Sequence, residues 1–386
     1  MSERSWRYLV DDGARAAAGL ALDEALMHGV RRGATGPGPT LRLYTYAGAA
    51  LVGRYQTLAA EIDLPGCARA GLSVSRRPTG GGAIIMGPDQ LGVALVIPSP
   101  ATAPRLLLEE LGAGIVDGLG FLGLAAVFGG KNDLLVSGRK VAGLGLYRDE
   151  QGALLFHASV LVDLDVDLML QALTIPAAKL GGAARSAVRE RITTVRAELG
   201  HPVSTDSVRE VVAAGLARRH GIRLREGLPT DEETLRCAEL VRSRYANPEW
   251  LHETAAAPAG TGSAAFRSGD GLVRVYVAAQ QSLATSVLFT GDFTTVPPGL
   301  RRLEAALRWR RLDARTVGEV VAHVRGQDAS DPGWERDDAI VTAVLTAASR
   351  AIDRETVTPV RPRGSCYFPD PADAGSTAGT ARWSTK

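Results

Sequence analysis

Lys140 stands immediately before the apolar Val141-Ala142-Gly143, so its ammonium belongs at the mouth of a pocket and not on an open face. Asp133 lies a few residues earlier, on what reads as the preceding strand, where it could meet the lysine or hold a metal. A second stretch, Arg76-Arg77-Pro78-Thr79-Gly80-Gly81-Gly82-Ala83-Ile84-Ile85-Met86, sets two fixed positive charges and a hydroxyl in front of three glycines and an apolar run. Glycines let the backbone approach a bulky anion, and their N–H groups, with the Arg77 guanidinium and the Thr79 hydroxyl, would suit a phosphate. Each stretch also has a plainer reading: surface charges at hairpin ends for the first, a glycine-rich turn flanked by solvated arginines for the second. The glycines match neither GxxxxGK[ST] nor GxGxxG. Charged groups beside an apolar slot suit attack of a carboxylate on the α-phosphate of ATP, because a lysine can neutralise charge on both partners as they approach.

These residues need elements to position them. Leu22, Leu26 and Val30 at i, i+4 and i+8 make the stripe of a helix packed on a sheet. Alternation in "LRLYTYAGAALVGRY" reads as two strands around Gly48, followed by strands at Ser73–Arg77, Ala83–Met86 and Gly92–Ile97. After a helix near Leu106–Leu122 come three strands, Asp133–Ser137, Lys140–Tyr147 and Leu154–Val162. Ser204–His220 and Thr230–Tyr245 are helical, the second opening on the capping box Thr230-x-x-Glu233. Beyond a small-residue, Pro/Gly-containing stretch, a hairpin over "GLVRVYVAAQQSLATSVLFTGDF" precedes helices near 298–307, 317–324 and 334–352. Strands in bunches with helices laid against them indicate an α+β fold. The expected organisation is a large mixed-sheet domain over 1–250, a linker over 251–263, a small α+β domain over 264–355 and a disordered tail over 356–386.

Composition narrows the partners. At 386 residues the chain exceeds one ordinary core, and 45% hydrophobic with 22% charged residues fits a folded protein. A formal net charge of +2 gives no basic nucleic-acid surface. Cys67, Cys237 and Cys366 are far apart, which indicates neither a disulfide framework nor a zinc site. The polar start MSERSWRYLV is unlike a signal peptide, and the stretch 106–128 carries Glu109, Glu110 and Asp117, so neither export nor a membrane span is expected. The default compartment is a reducing cytoplasm.

Taken in order, "RRPTGGGAI", Asn132-Asp133, "GRKVAG" and "HASVLVDLD" resemble the motifs of the lipoate-protein ligase family, within the wider biotin and lipoate ligase fold. "YANPEW" and "LFTGDF" look like later segments of that family and its small accessory domain. The resemblance implies an ATP-dependent ligase that adenylates lipoate and passes the lipoyl group to a lysine of an acceptor domain, with ATP and Mg2+ as cofactors. It assigns Lys140 to both the acyl carboxylate and the phosphate. Arg77, Thr79, Gly80, Gly81, Gly82, Ala83, Ile84, Ile85 and Asn132 fall to the nucleotide, Asp133 to magnesium, and Gly143, His157 and Ser159 to the acyl pocket. His157 reads equally well as a packed core histidine.

The sequence departs from the family pattern at Met86, Gly87, Leu144 and Ala158, which is expected to change bulk near the acyl tunnel. One alternative is therefore an adenylating ligase for another small carboxylic acid delivered to an amine. A related octanoyltransferase ranks behind it, because no cysteine stands where those enzymes place their nucleophile.

Overall fold

The computed structural model describes residues 4–31, 36–174, 184–252, 261–268, 271–280, 282–293, 297–326 and 337–355. The expected tail and most of the expected linker lie outside the described residues. The architecture is the expected mixed α+β type.

Its centre is an eight-stranded sheet in the order β11-β1-β2-β6-β10-β9-β8-β7. The strands are β1 (Arg4–Ala14), β2 (Thr40–Tyr46), β6 (Gln90–Pro98), β7 (Val127–Gly129), β8 (Asp133–Val136), β9 (Arg139–Arg148), β10 (Ala153–Leu161) and β11 (Ile222–Glu226). Successive side chains on a strand point to opposite faces, and both faces of the central strands are covered. Leu41 and Leu43 of β2, Leu91, Val93 and Leu95 of β6, and Phe156, Ala158 and Val160 of β10 pack with the helices Pro104–Gly120 and Thr205–His220. Tyr44 and Tyr46, Ala94 and Val96, and Leu155 pack with the helix Ala16–Arg31. The two helices of the first face meet backbone to backbone: a Cβ on Gly215 would lie 2.3 Å from the Gly118 nitrogen. Only glycine fits there.

A smaller sheet, in the order β4-β3-β5, carries the glycine run. Its strands are β3 (Ala49–Val52), β4 (Ser73–Arg76) and β5 (Ile84–Met86), so residues 77–83 connect the two strands that flank β3. The helix expected over Thr230–Tyr245 begins with both bonds of its capping box formed, but it passes into a π-turn at Val241–Tyr245. There Arg244 and the Tyr245 hydroxyl both bind Glu24.

A third sheet, β12 (Gly262–Ser268), β13 (Gly271–Gln280) and β14 (Leu283–Gly291), packs with the helices Pro298–Leu307, Ala314–Gly326 and Asp337–Glu355 around its own buried core. It docks on the segment after β3: the Gly291 N–H donates to the Tyr55 carbonyl at 3.2 Å, and Arg274 Nε donates to Glu61 at 2.8 Å. Among the described residues, no helix is long and apolar enough to cross a membrane.

Candidate active site

Between the helix 16–31 face of the large sheet and the glycine loop lies a cavity of about 200 Å³. Its floor is bare of bulk, because Gly143 and Gly145 of β9 lie opposite Ser159 and His157 of β10. Strict alternation would send Lys140 and Gly143 to opposite faces. A register shift prevents this: Leu134 pairs with Ala142 but Leu135 with Lys140, so Val141 is an extra residue in the strand. Such a bulge re-aims the side chains beside it, and Lys140 folds back over Gly143. A Cβ at Gly143 would lie 2.9 Å from Lys140 Nζ.

Asp133 Oδ1 is 2.7 Å from that ammonium, each side chain about one third exposed (32% and 33%). The pair is close, but Oδ1 has no aligned hydrogen bond. The Lys140 backbone is held by the Thr193 N–H, which donates to its carbonyl. Arg139 points away from the cavity and pairs with Glu198 at 2.6 Å.

The loop above is stiffened from within. Arg76 is fully buried and donates to the carbonyls of Gly53, Gln56, Trp250 and Leu251, while Trp250 Nε1 donates back to the Arg76 carbonyl. Arg77 borders the cavity, yet its guanidinium is committed to the carbonyls of Leu51, Gly80 and Gly82. Burial pulls its pKa down to about 10, against the opposing field of Asp292. Thr79 is buried against Gly145. The Gly81 N–H, one of the groups expected to face a phosphate, donates instead to the carbonyl of Phe293 from the third sheet's side at 2.7 Å. Gly80, Gly82, Ala83, Ile84 and Ile85 all line the cavity.

Asn132 also lines it, but its amide donates to the Leu144 carbonyl at 2.6 Å, tying the β7–β8 turn to β9. Asp133, assigned above to magnesium, is paired here with the Lys140 ammonium, and the described residues hold no group of three or more His, Cys, Asp or Glu. Leu144 and Ala158 are among the residues that line the cavity, and both are also packed in the core with the helices 104–120 and 205–220, Leu144 against Gly112. Met86 lines the cavity too.

His157 borders the cavity and is also packed, so both of its readings describe it. Its Nε2 lies 2.9 Å from Asp23 Oδ2; Asp23 Oδ1 accepts from Arg42 at 2.7 Å, and Arg42 reaches Asp11 at 2.6 Å. Burial pushes the Asp23 carboxyl up, but Arg42 and His157 outweigh it and hold the group below its usual range. Sequence reasoning missed Asp23 and Arg42. The available signal was a charge inside each of two apolar stretches, "LALDEALM" and "LRLYTY".

Neither described cysteine lines the cavity. Cys67 donates to the Ala172 carbonyl and Cys237 to that of Ala18. Cys366 lies outside the described residues.

A large mixed sheet with a lysine and a glycine loop facing across one apolar cavity defines the class. The family described as the lipoyl protein ligase A/B catalytic domain matches residues 15–217, and the chain belongs to this family, among the enzymes of the lipoate and biotin ligase and transferase group. The chain is 32% identical to Octanoyltransferase LipM of Symbiobacterium thermophilum and 30% identical to that of Brevibacillus brevis, in each case over 64% of this chain and 98% of the relative. Among solved structures, it is similar to the bi-partite lipoate protein ligase of Thermoplasma acidophilum, with 28% identity and a TM-score of 0.59, over 66% of this chain and 98% of that one. The expectation of an ATP-dependent lipoate-protein ligase is therefore corrected: these two relatives, matched along nearly their whole length at 30% and 32% identity, are octanoyltransferases. Motif order alone had favoured adenylation.

Proposed function

We propose that this protein is an acyltransferase that moves a medium-chain acyl group, delivered as a thioester, to the side-chain amine of a lysine on an acceptor domain. The observation that carries this reading is the match to octanoyltransferases along 98% of their length. The archaeal relative is described together with an E2 lipoyl domain, the kind of acceptor proposed here.

In the transfer the acceptor amine attacks the thioester carbonyl carbon. The C–N bond forms, the C–S bond breaks, and the thiol leaves with the proton the amine gives up. Negative charge grows on the carbonyl oxygen at the tetrahedral stage, and a preorganised cation in a partly dry cavity stabilises it more than it stabilises the ground state. Lys140 is the residue proposed for this, with Asp133 fixing its position and Gly143 leaving room beside it. The described cysteines, Cys67 and Cys237, do not line the cavity, so neither carries the acyl group in the proposed transfer.

The test is to incubate the protein with an octanoyl-loaded carrier protein and a lipoyl-type acceptor domain, without ATP, and to follow the acceptor by mass spectrometry. One added octanoyl group on the acceptor lysine is the expected result. Modification that appears only with free acid and ATP would end the reading.

A further inference from the structure

We propose that the turn at Trp309 is a docking surface for the acceptor domain, and that the acceptor seats an acidic face on it. The inference rests on the acyl-transfer reading above and adds where that partner binds. The matched family domain ends at residue 217, so the third sheet with its helices, from Gly262 on, lies beyond it. This unit is fixed beside the cavity: the Gly81 N–H of the glycine loop donates to the Phe293 carbonyl, just past the Gly291 end of β14. Trp309 is tied to the other end, its N–H donating to the Ala284 carbonyl while the Ala284 N–H donates to that of Arg310 at 2.9 Å. A strand rise of about 3.4 Å per residue sets these two ends about 25 Å apart. A lysine side chain is short, so the acceptor's body must rest against the cavity mouth. A compact domain of about 100 residues, with a radius of gyration of about 13 Å, can reach both places at once.

Local structure does not account for the residue at this turn. Trp309 sits at φ 64°, a left-handed conformation that glycine adopts freely and a bulky residue adopts only under strain. Burial gives no return for it, because Trp309 is 60% exposed. A strained backbone presenting an unburied indole points to something the indole meets. The neighbouring charges say what. Residues 301–315 hold six arginines against Glu304 and Asp313, a greater positive excess than the +2 of the entire chain. Arg308 and Arg310, on either side of the indole, are exposed and pair with no carboxylate among the described residues. Tryptophan and arginine are the residues that most often carry the binding energy of protein–protein contacts, and charge complementarity sets carboxylates opposite them. A single ring favours a protein over a nucleic-acid strand, whose successive bases stack on several.

The experiment measures octanoyl transfer by the full chain from a loaded carrier protein to a lipoyl-type acceptor domain, at varied concentrations of each. It compares the natural protein with Trp309→Gly and with Arg308→Glu combined with Arg310→Glu. Trp309→Gly should raise KM for the acceptor on the order of tenfold and leave kcat and the carrier's KM near their natural values. It should unfold at about the natural temperature, because the strain relieved at φ 64° offsets the freedom that glycine adds to the unfolded chain. The charge-reversed variant should show the same rise and lose the salt dependence of kcat/KM for the acceptor. The proposal is overturned if the acceptor's KM is unmoved in both variants or if the carrier's KM rises in its place. It is also overturned if Trp309→Gly unfolds well below the natural temperature, which makes the indole part of the fold, or if a single-stranded oligonucleotide binds through these residues in preference to the acceptor. Calorimetry of the acceptor domain with each protein keeps the two readings apart. Acceptor binding that weakens in the variants, without any thioester-dependent transfer, would sink the acyltransferase reading and leave the docking surface standing.

Discussion

Two ion pairs with the same 2.7 Å separation stand behind the same cavity, one reaching it through His157 and the other through Lys140, and they do opposite work. Arg42 and Asp23 are fully buried, and a third group, His157, is hydrogen-bonded to the carboxylate. Lys140 and Asp133 are each about one third exposed, with the lysine laid over a glycine. Water screens the second pair, so its net contribution to stability is at most about 1 kcal/mol; it can open for a substrate without endangering the fold. The first pair cannot open, because a lone buried charge would remain. Equal distances thus separate a scaffold from a working contact only when burial is considered with them.

The largest effect should come from breaking the buried pair. Arg42→Met leaves Asp23 uncompensated and should cost about 3–5 kcal/mol of folding stability, read by chemical denaturation, whereas Arg42→Met with Asp23→Leu should recover much of it. Near-normal stability of the single variant would show the pair to be no scaffold. The same pair sets an acid limit. Asp23 has a folded-state pKa below its ordinary value of 3.8, so its stabilisation is fully present above about pH 4 and is lost as pH falls through the folded value. Thermal unfolding between pH 5 and pH 2.5 should show a steeper loss below 3.8 for the natural protein than for the double variant.

Next in size, Lys140→Ala should lower acyl transfer on the order of 10²–10³-fold, as removal of one well-placed electrostatic donor does. Its unfolding free energy should shift by no more than about 1 kcal/mol. A large stability loss with intact transfer would reverse the comparison. Gly143→Ala is a finer probe, since the new methyl would meet Lys140 Nζ at 2.9 Å and its Cε at 3.1 Å. The flexible end of the lysine can yield, so the expected loss is roughly 10-fold in kcat/KM, a fraction of what misplacing a catalytic group by 1 Å can cost.

The sequence made the α+β architecture legible because its elements carry strong periodic signals, from the helix stripe of Leu22, Leu26 and Val30 to the capping box at Thr230 and Glu233. It also marked the glycine loop and Lys140 as neighbours of one slot. What it hid depends on partners distant in sequence. Arg77 looks like an anion ligand until the structure places the Leu51, Gly80 and Gly82 carbonyls around it. Asp23 and Arg42 are intelligible only once a helix is laid across β2 and β10. Leu144 and Ala158 read as pocket residues, and their packing in the core with the helices 104–120 and 205–220 shows only in the structure. The bulge at Val141 has no composition signature at all, and it alone brings Lys140 and Gly143 to one side.

That bulge also governs the smallest effect. Arg139 is adjacent to Lys140 but faces away from the cavity, and its partner Glu198 does not depend on it: the Thr193 hydroxyl donates to the same carboxylate oxygen at 2.6 Å. Removing the guanidinium leaves the Glu198 carboxylate, 10% exposed, on the hydroxyls of Thr193 and Ser137, while Arg139 itself is 38% exposed and its end of the interaction is screened by solvent. Arg139→Ala should change stability by less than about 1 kcal/mol and leave acyl transfer close to that of the natural protein. Transfer assays on Arg139→Ala and Lys140→Ala, run side by side, test the register directly, because a one-residue slip exchanges the two faces of the strand. If Arg139→Ala abolishes transfer while Lys140→Ala keeps it, β9 has been placed on the wrong face and the working contact is not the Lys140–Asp133 pair.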